Sequence, residues 1–161
     1  MIKVYKVTCL NLISLFLIGK ILYFSGKKMK NKYGLTHWDN GVIKTILIVL
    51  YCSLRNEVYL VNDDKDSIAT FQIKQKGDLL YFYKLATAPD FQGSGVGSFC
   101  LRYIEMIAGE RDCESVRCDV LKDSEHALRF YLNRGYVIYD EKKTLKYQEY
   151  LLEKRNCLKG A

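Results

Sequence analysis

One glycine-rich stretch has the residue types that bind phosphate groups, and it reads Pro89-Asp90-Phe91-Gln92-Gly93-Ser94-Gly95-Val96-Gly97-Ser98. It lies between an apolar run typical of a strand and a segment with helical periodicity. Because glycine has no Cβ, Gly93, Gly95 and Gly97 let the chain turn sharply and bring backbone N–H groups close to a ligand. These amides also begin a helix, whose N-terminus favours negative charge. The stretch therefore predicts a phosphate-binding loop between a strand and a helix.

Three known phosphate-binding patterns are candidates for this loop. The P-loop needs a Gly-Lys pair, and this stretch has none. The dinucleotide fingerprint needs a third small residue three positions after its second glycine; counted from Gly93 and Gly95 this is Ser98, an imperfect match. The pattern Gln/Arg-x-x-Gly-x-Gly/Ala fits Gln92 to Gly97 at every fixed position.

A second stretch, from Ala127 to Tyr136, reads Ala-Leu-Arg-Phe-Tyr-Leu-Asn-Arg-Gly-Tyr. It is similar to the Ala-x-x-Phe-Tyr-x-x-x-Gly-Phe helix of the GNAT superfamily of acetyl-CoA-dependent acyltransferases. The pattern from Gln92 to Gly97 also belongs to that superfamily. With both motifs at the separation typical of it, the sequence resembles a GNAT N-acetyltransferase over nearly its whole length.

The resemblance implies that acetyl-CoA is the co-substrate and that main-chain groups hold most of it. Backbone amides of the glycine loop would bind the pyrophosphate, with the hydroxyls of Ser94 and Ser98 as further donors. Thr87 replaces a family valine at the end of the preceding strand, where main-chain groups bind the pantetheine arm and polarise the thioester. The implied cofactor-binding residues are Leu85, Ala86, Thr87, Gln92, Gly93, Ser94, Gly95, Val96, Gly97, Ser98 and Ser124.

Tyr131 matches the family tyrosine near the CoA sulfur, and the resemblance implies that it is the general acid that protonates the leaving thiolate. A core aromatic beside Phe130 is the alternative. Ser124 stands where relatives often carry an asparagine that contacts the cofactor. A serine reaches less far, and its alternative role is the N-cap of a short helix.

The residues that handle the acceptor are not fixed by a motif. The candidates for the general base are His37, Asp39, Glu57 and His126, or a water chain. The loop that contains His37, Trp38 and Asp39 joins the first two predicted helices, where GNAT enzymes commonly bind the acceptor. Trp38 either walls an acceptor pocket or closes the core, and both alternatives stay open.

These features predict an N-acetyltransferase that moves the acetyl group of acetyl-CoA directly to a primary amine of a small molecule. Direct attack is favoured because no cysteine lies in a recognisable nucleophile setting. A protein or peptide amine, at an N-terminus or a lysine, is the alternative acceptor. A non-catalytic acyl-CoA-binding module is the alternative outside the enzyme class.

The length and composition favour a single domain over residues 1–161, with one proline and no linker-like segment. The chain has six cysteines without metal-binding spacing, which predicts free thiols, no metal and a reducing, cytoplasmic compartment. These are Cys9, Cys52, Cys100, Cys113, Cys118 and Cys157.

The segment from Leu10 to Phe24 is apolar enough to raise the question of a membrane span. It is shorter than the roughly 20 residues that a span needs, and Asn11 and Lys20 interrupt it. It also lacks a small-residue cleavage site. We therefore expect a buried amphipathic helix and no membrane partner.

The formal net charge is +7, and Asp39 is the only acid among the first 56 residues. The densest cluster is Lys27-Lys28-Met29-Lys30-Asn31-Lys32. It fits a solvated helix end, an acidic acceptor, a nucleic acid, or the attraction of an anionic cofactor. The basic residues are not interleaved with stacking aromatics as in known modules, which argues against a nucleic-acid partner. The sequence is compatible with a homodimer.

The elements that position these residues follow from hydrophobic periodicity. The predicted strands are Ile2 to Val7, Glu57 to Val61, Ser67 to Lys74, Leu79 to Thr87, Ser115 to Leu121, Tyr136 to Tyr139 and Thr144 to Leu152. The predicted helices are Leu10 to Lys32, Val42 to Leu54, Val96 to Ala108 and Glu125 to Arg134. The strand–helix–strand unit that contains the glycine loop implies one parallel pair. This order predicts an α/β (α+β) fold that resembles the GNAT fold, with a mixed, mostly antiparallel central sheet of about seven strands and about four helices packed on its faces.

Overall fold

The computed structural model describes residues 1–35, 41–64, 66–144 and 147–155. The elements are β1 (Ile2–Val7), α1 (Leu12–Tyr33), α2 (Val42–Ser53), β2 (Glu57–Asp63), β3 (Asp66–Lys76), β4 (Leu79–Thr87), a 3-10 turn (Pro89–Phe91), α3 (Val96–Glu110), β5 (Ser115–Leu121), α4 (Glu125–Leu132), β6 (Val137–Lys143) and β7 (Gln148–Arg155). The strands form one mixed sheet in the order β1-β2-β3-β4-β5-β7-β6. The predicted fold class is confirmed.

The chain divides into two compact units. Unit 1 contains Met1–Lys74 and Lys84–Arg102, and unit 2 contains Gln75–Tyr83 and Tyr103–Ala161. That the whole chain is a single domain stays a prediction.

Unit 1 consists of the antiparallel strands β1, β2 and most of β3, together with α1, α2, the end of β4 and the start of α3. Its core joins α1 to the strands. Asn11 begins α1 by accepting a 3.0 Å hydrogen bond from the Ser14 amide, and Gly34 ends it in the left-handed conformation at φ 70°, as its position predicted. The core residues are Val7, Leu15, Ile18, Ile21, Leu22, Val49, Val58 and Leu60, with Leu17, Ala86 and Ala88 packed against them.

The prediction that the segment from Leu10 to Phe24 is buried is only half right. Leu15 and Ile18 are buried, whereas Ile13 is 76% exposed and Phe16 is also exposed. A helix presents one stripe to the core, and this sequence carries apolar residues on the opposite stripe as well. No helix in the described part of the chain is long and apolar enough to cross a membrane.

Unit 2 contains the parallel pair that the sequence predicted. β4 pairs with β5 over Leu79–Tyr81 and Ser115–Arg117, and this register ends at Tyr81 and Arg117. The antiparallel strand β7 lies between β5 and β6.

The predicted boundaries of the last two strands are wrong. Asp140 to Lys143 was expected to be a turn, but these residues belong to β6 (Val137–Lys143). β7 is Gln148–Arg155, not Thr144 to Leu152. All seven residues of β6 are exposed, so this edge strand needs no apolar alternation and its charged half resembles a turn.

Candidate active site

The glycine-rich loop lies in unit 1 and leads directly into α3. The first α3 hydrogen bond runs from the Phe99 amide to the Gly95 carbonyl at 3.0 Å. The amides of Val96 and Gly97 therefore have no partner within the helix. Val96 is buried, which fixes the helix start, while the residues from Gln92 to Gly95 are exposed. The predicted phosphate loop thus ends at a helix N-terminus whose first amides lack partners within the helix.

Two glycines of the loop have backbone angles that other residues rarely adopt. Gly93 has φ 85° and Gly95 has φ 89°. A Cβ built on either glycine would meet no heavy atom within 4 Å, so open space adjoins both. The requirement for glycine here is therefore conformational, and no described heavy atom within that distance would obstruct a ligand beside these two residues.

Hydrogen bonds within the loop hold its shape. The Ser94 hydroxyl donates to the Phe91 carbonyl at 2.6 Å, and the Gln92 side-chain amide donates to the Thr87 carbonyl at 3.2 Å. Both side chains therefore turn back onto the main chain of the turn. Their direct contribution to this structure is to position the loop backbone.

The carbonyl of Thr87 is satisfied within unit 1. It accepts a 2.8 Å hydrogen bond from the Ser25 hydroxyl in addition to the one from Gln92. The next residue, Ala88, donates its amide to the Ile68 carbonyl at 2.8 Å. This strand end is therefore tied both to α1 and to β3. Because the Thr87 carbonyl is already occupied, Leu85 and Ala86 are the better candidates for main-chain contacts with a pantetheine arm.

Lys84 introduces a local irregularity into β4. Its φ is 50°, in the left-handed region that non-glycine residues seldom occupy. The alternation of buried and half-buried residues seen from Leu79 to Tyr83 stops at this point. A left-handed residue redirects the peptide groups that follow it, here those of Leu85 and Ala86. No sequence signal marked Lys84.

A lysine of α1 braces the turn that leads into the loop. Lys28 Nζ donates a 2.9 Å hydrogen bond to the Pro89 carbonyl. Sequence reasoning missed both Ser25 and Lys28 as contributors to the site. The one available signal was a small polar residue, Ser25, directly after the apolar run Ile21 to Phe24; it is buried, so its hydroxyl needs an acceptor.

In unit 2, Tyr131 lies on the short helix α4 among other aromatic rings. Its ring centroid is 5.6 Å from that of Phe82, 5.7 Å from Tyr136 and 5.1 Å from Phe130. Arg134 stacks on the Phe130 ring at 3.8 Å and donates to the Phe130 carbonyl at 2.7 Å. The predicted aromatic motif thus folds into a packed cluster that fixes the Tyr131 ring.

This environment keeps the Tyr131 phenol protonated. Burial raises its pKa well above the ordinary value, and the neighbouring Cys118 adds to the increase, against a smaller opposite effect of Arg134. Tyr131 therefore carries a proton near neutral pH and is unsuited to act as a base there; its role as the proton donor stays a prediction. The Tyr136 hydroxyl makes no hydrogen bond of ordinary geometry among the described residues. Burial is the main cause that raises its pKa, and the nearby Glu105 carboxylate raises it further.

Ser124 occupies the N-cap position of α4, where the alternative role placed it, and it is buried. Its carbonyl accepts the amides of Ala127 and Leu128, both at 3.0 Å. Its side chain, however, makes no capping hydrogen bond. The hydroxyl is thus not used to begin the helix, and a contact with the cofactor stays a prediction.

A polar cluster holds the end of the β4–β5 register. Arg117 donates to the Glu153 carboxylate at 2.8 Å, and the Ser115 hydroxyl donates to the same oxygen at 2.8 Å. Burial alone would raise the pKa of Glu153, but the hydrogen bonds from Ser115 and Arg117 lower it below the ordinary value. Arg117 also donates to the Tyr81 hydroxyl at 3.4 Å. The cluster clamps the last paired residues of the two strands.

The structure describes two of the four residues that were predicted as candidates for the general base, Glu57 and His126. The predicted acceptor-site residues His37, Trp38 and Asp39 lie outside the described residues. The Glu57 carboxylate is bound by Lys6 at 2.8 Å and by the Tyr59 hydroxyl at 3.0 Å, so it serves the β1–β2 pair. His126 lies in the first turn of α4 and is half-buried.

The cysteines in the described part of the chain are free thiols. Burial raises the pKa of Cys100 to about 12 and raises that of Cys118 well above its ordinary value. Neither thiol is a nucleophile at neutral pH, because the thiolate is the reactive form. Among the described residues, no group of His, Cys, Asp and Glu side chains could hold a metal ion.

The fold and the phosphate loop define an acyltransferase of the GNAT type. Residues 36–136 match the Acetyltransferase (GNAT) family, and the chain belongs to this family. It is a GNAT-family acetyltransferase. No curated protein sequence matches the chain.

Solved structures share the fold at low sequence identity. The PaiA N-acetyltransferase of Thermoplasma acidophilum in complex with coenzyme A is 15% identical, with a TM-score of 0.76 over 96% of this chain and 99% of that one. A GNAT family acetyltransferase of Elizabethkingia anophelis with acetyl-CoA bound is 16% identical, with a TM-score of 0.69 over 96% and 97% of the two chains. The ribosomal-protein-S18-alanine N-acetyltransferase of Escherichia coli is 12% identical, with a TM-score of 0.69 over 96% and 94%.

Proposed function

We propose that this protein transfers the acetyl group of acetyl-CoA directly to a primary amine of a small molecule. The observation that carries the proposal is the loop after β4, where two glycines are left-handed and the amides of Val96 and Gly97 at the start of α3 have no partner within the helix. Family membership and two relatives whose structures hold CoA or acetyl-CoA support the same donor.

The main chain supplies donor binding in this proposal. Amides from Gly95 to Gly97 hold the pyrophosphate, and the positive end of the α3 dipole adds to them; the amides of Gln92 and Ser94 instead donate to carbonyls of the preceding turn. Peptide groups of Leu85 and Ala86, redirected by the left-handed Lys84, hold the pantetheine arm and polarise the thioester carbonyl, which is the logic of an oxyanion hole.

The reaction requires two proton transfers: the leaving thiolate gains a proton, and the attacking amine loses one. The neutral amine attacks the thioester carbonyl carbon, a C–N bond forms and the C–S bond breaks. The departing thiolate takes a proton from Tyr131, whose raised pKa keeps it protonated, and the amine nitrogen loses a proton to a base or to solvent. Direct transfer is further supported by the buried, protonated thiols of Cys100 and Cys118.

The test is a panel of primary amines incubated with acetyl-CoA, with the products identified by mass spectrometry. We expect at least one small-molecule amine to gain an acetyl group at a rate that depends on enzyme concentration, and the variant Gly95→Glu to be inactive. Acetylation of peptide amines alone would contradict the small-molecule acceptor. Acetyl-CoA binding without turnover of any amine or peptide would indicate a binding module instead.

A further inference from the structure

A basic groove lies in unit 1 outside the glycine loop. It is a shallow groove, open to solvent, between the C-terminal half of α1 and the 3-10 turn, and its volume is about 400 Å³. Its lining residues are Phe24, Lys27, Lys28, Asn31, Lys32 and Pro89. The groove therefore combines three ammonium groups and one amide with two apolar surfaces.

The charges of the groove are not neutralised within the described residues. Lys28 donates to the Pro89 carbonyl at 2.9 Å, and Lys32 lies 5.1 Å from the centre of the Tyr33 ring, but neither they nor Lys27 pair with a described carboxylate. Ammonium groups gathered without counter-charges repel one another, and a bound anion relieves that repulsion.

The helix dipole accounts for only part of this cluster. Cations are favoured in the last turn of a helix, where α1 carries Lys30 and Lys32. Lys27 and Lys28 lie further from the end of α1 at Tyr33, beyond the reach of that effect. Their position is explained by the turn that they face, because Lys28 is hydrogen-bonded to it.

The groove and the phosphate loop are close neighbours along the chain. Pro89 lines the groove, and Gln92, where the glycine pattern begins, follows it by three residues. The Cα atoms of Pro89 and Gln92 are therefore at most about 10 Å apart. In CoA, a 3′-phosphate and the pyrophosphate-bearing 5′-carbon belong to the same ribose ring. One CoA molecule therefore carries a second phosphate group near the one that the loop holds.

We propose that this groove binds a phosphate monoester, and that the 3′-phosphate of CoA is its source when CoA occupies the glycine loop. Lys27 and Lys32 neutralise the phosphate, Asn31 donates hydrogen bonds, and Phe24 and Pro89 provide apolar surface beside it. That CoA is the source of the phosphate rests on the proposed function. That the groove binds a phosphate monoester does not depend on it.

The experiment compares acetyl-CoA with acetyl-3′-dephospho-CoA by isothermal calorimetry. We expect the wild type to bind the dephospho form roughly tenfold more weakly, the cost of one charge-assisted phosphate contact. The double variant Lys27→Gln/Lys32→Gln should bind acetyl-CoA about that much more weakly, and it should no longer distinguish the two ligands. Lys20→Gln is the matched control, since Lys20 is an exposed lysine of the same helix that does not line the groove.

A second arm separates the sources of the phosphate. Inorganic phosphate is titrated into the protein while NMR follows the chemical shifts of the α1 amides. If these shifts change in the wild type but not in the double variant, and both CoA forms bind equally, the groove binds a phosphate monoester that comes from another molecule. The inference is overturned if neither arm depends on Lys27 and Lys32. If the wild type does not bind acetyl-CoA at all, the proposed function fails, and the phosphate arm still decides the groove.

Discussion

The Ser25 hydroxyl donates a 2.8 Å hydrogen bond to the Thr87 carbonyl, which ties the middle of α1 to the last residue of β4. The same carbonyl accepts the Gln92 side chain at 3.2 Å. One carbonyl thus joins a helix, a strand end and the glycine loop. The conformation of the loop depends on these two donors as well as on its glycines.

Ser25→Ala is expected to loosen this junction. Loss of the buried donor should lower the free energy of unfolding by about 1 kcal/mol and raise KM for acetyl-CoA several-fold, with kcat nearly unchanged. Chemical denaturation and steady-state kinetics measure the two effects. Ser53→Ala is the control, because the Ser53 hydroxyl donates to the Leu50 carbonyl of its own helix. Equal KM values in the two variants would contradict the role of Ser25.

Gly95→Ala tests the requirement for a left-handed residue in the loop. At φ 89° an alanine is strained by about 1–2 kcal/mol although its Cβ has free space, so the loop should change conformation and acetyl-CoA binding should weaken at least tenfold. Gly77→Ala is the matched control: its φ is 60° and its Cβ also has free space, but it lies in the turn between β3 and β4. It should lose comparable stability and keep its affinity. Equal losses of affinity would count against the loop as the binding site.

Sequence reasoning predicted the parts of the fold that local chemistry determines. Gly93 and Gly95 have the left-handed conformations that a phosphate loop needs, and the parallel pair followed from the strand–helix–strand order. The boundaries failed at Asp140 to Lys143, because a fully exposed edge strand has no apolar face to leave a pattern.

The supporting contacts could not be predicted, because they depend on tertiary structure. Ser25 and Lys28 bond to carbonyls about 60 residues away in the chain, and the local sequence does not identify these acceptors. The left-handed conformation of Lys84 is unfavourable for a lysine, and only the surrounding sheet can impose it.

Tyr131→Phe tests the proton donor. We expect kcat to fall about tenfold to a hundredfold while KM for acetyl-CoA changes little, since a CoA thiolate needs only modest help to leave. Because its pKa is raised, the wild-type phenol should stay protonated up to about pH 10, so its deprotonation should not lower kcat below that pH. Tyr139→Phe, on the exposed strand β6, is the control. If single-turnover rates of wild type and Tyr131→Phe agree, Tyr131 is not the acid.

Glu153→Gln tests the clamp at the end of the β4–β5 register. Its pKa is lowered in the folded state, so the ionised carboxylate stabilises the protein above its ordinary pKa of 4.5, and this stabilisation is lost as the pH falls through the folded value. The variant should be less stable at pH 7 by roughly 1–3 kcal/mol, and its stability should fall less steeply between about pH 5 and pH 3. Denaturation at several pH values measures this. Exposed Glu125, paired with Arg129, gives the control Glu125→Gln, for which we expect almost no effect. Parallel acid profiles of wild type and Glu153→Gln would contradict the assignment.

Isothermal calorimetry of acetyl-CoA with the wild type and with Gly95→Glu tests the central claim most directly. A glutamate at this loop position would place a carboxylate against the pyrophosphate. We predict saturable, one-to-one binding by the wild type that is abolished in the variant, while circular dichroism shows the fold retained. Undiminished affinity in the folded variant, or no binding by the wild type, would contradict the account.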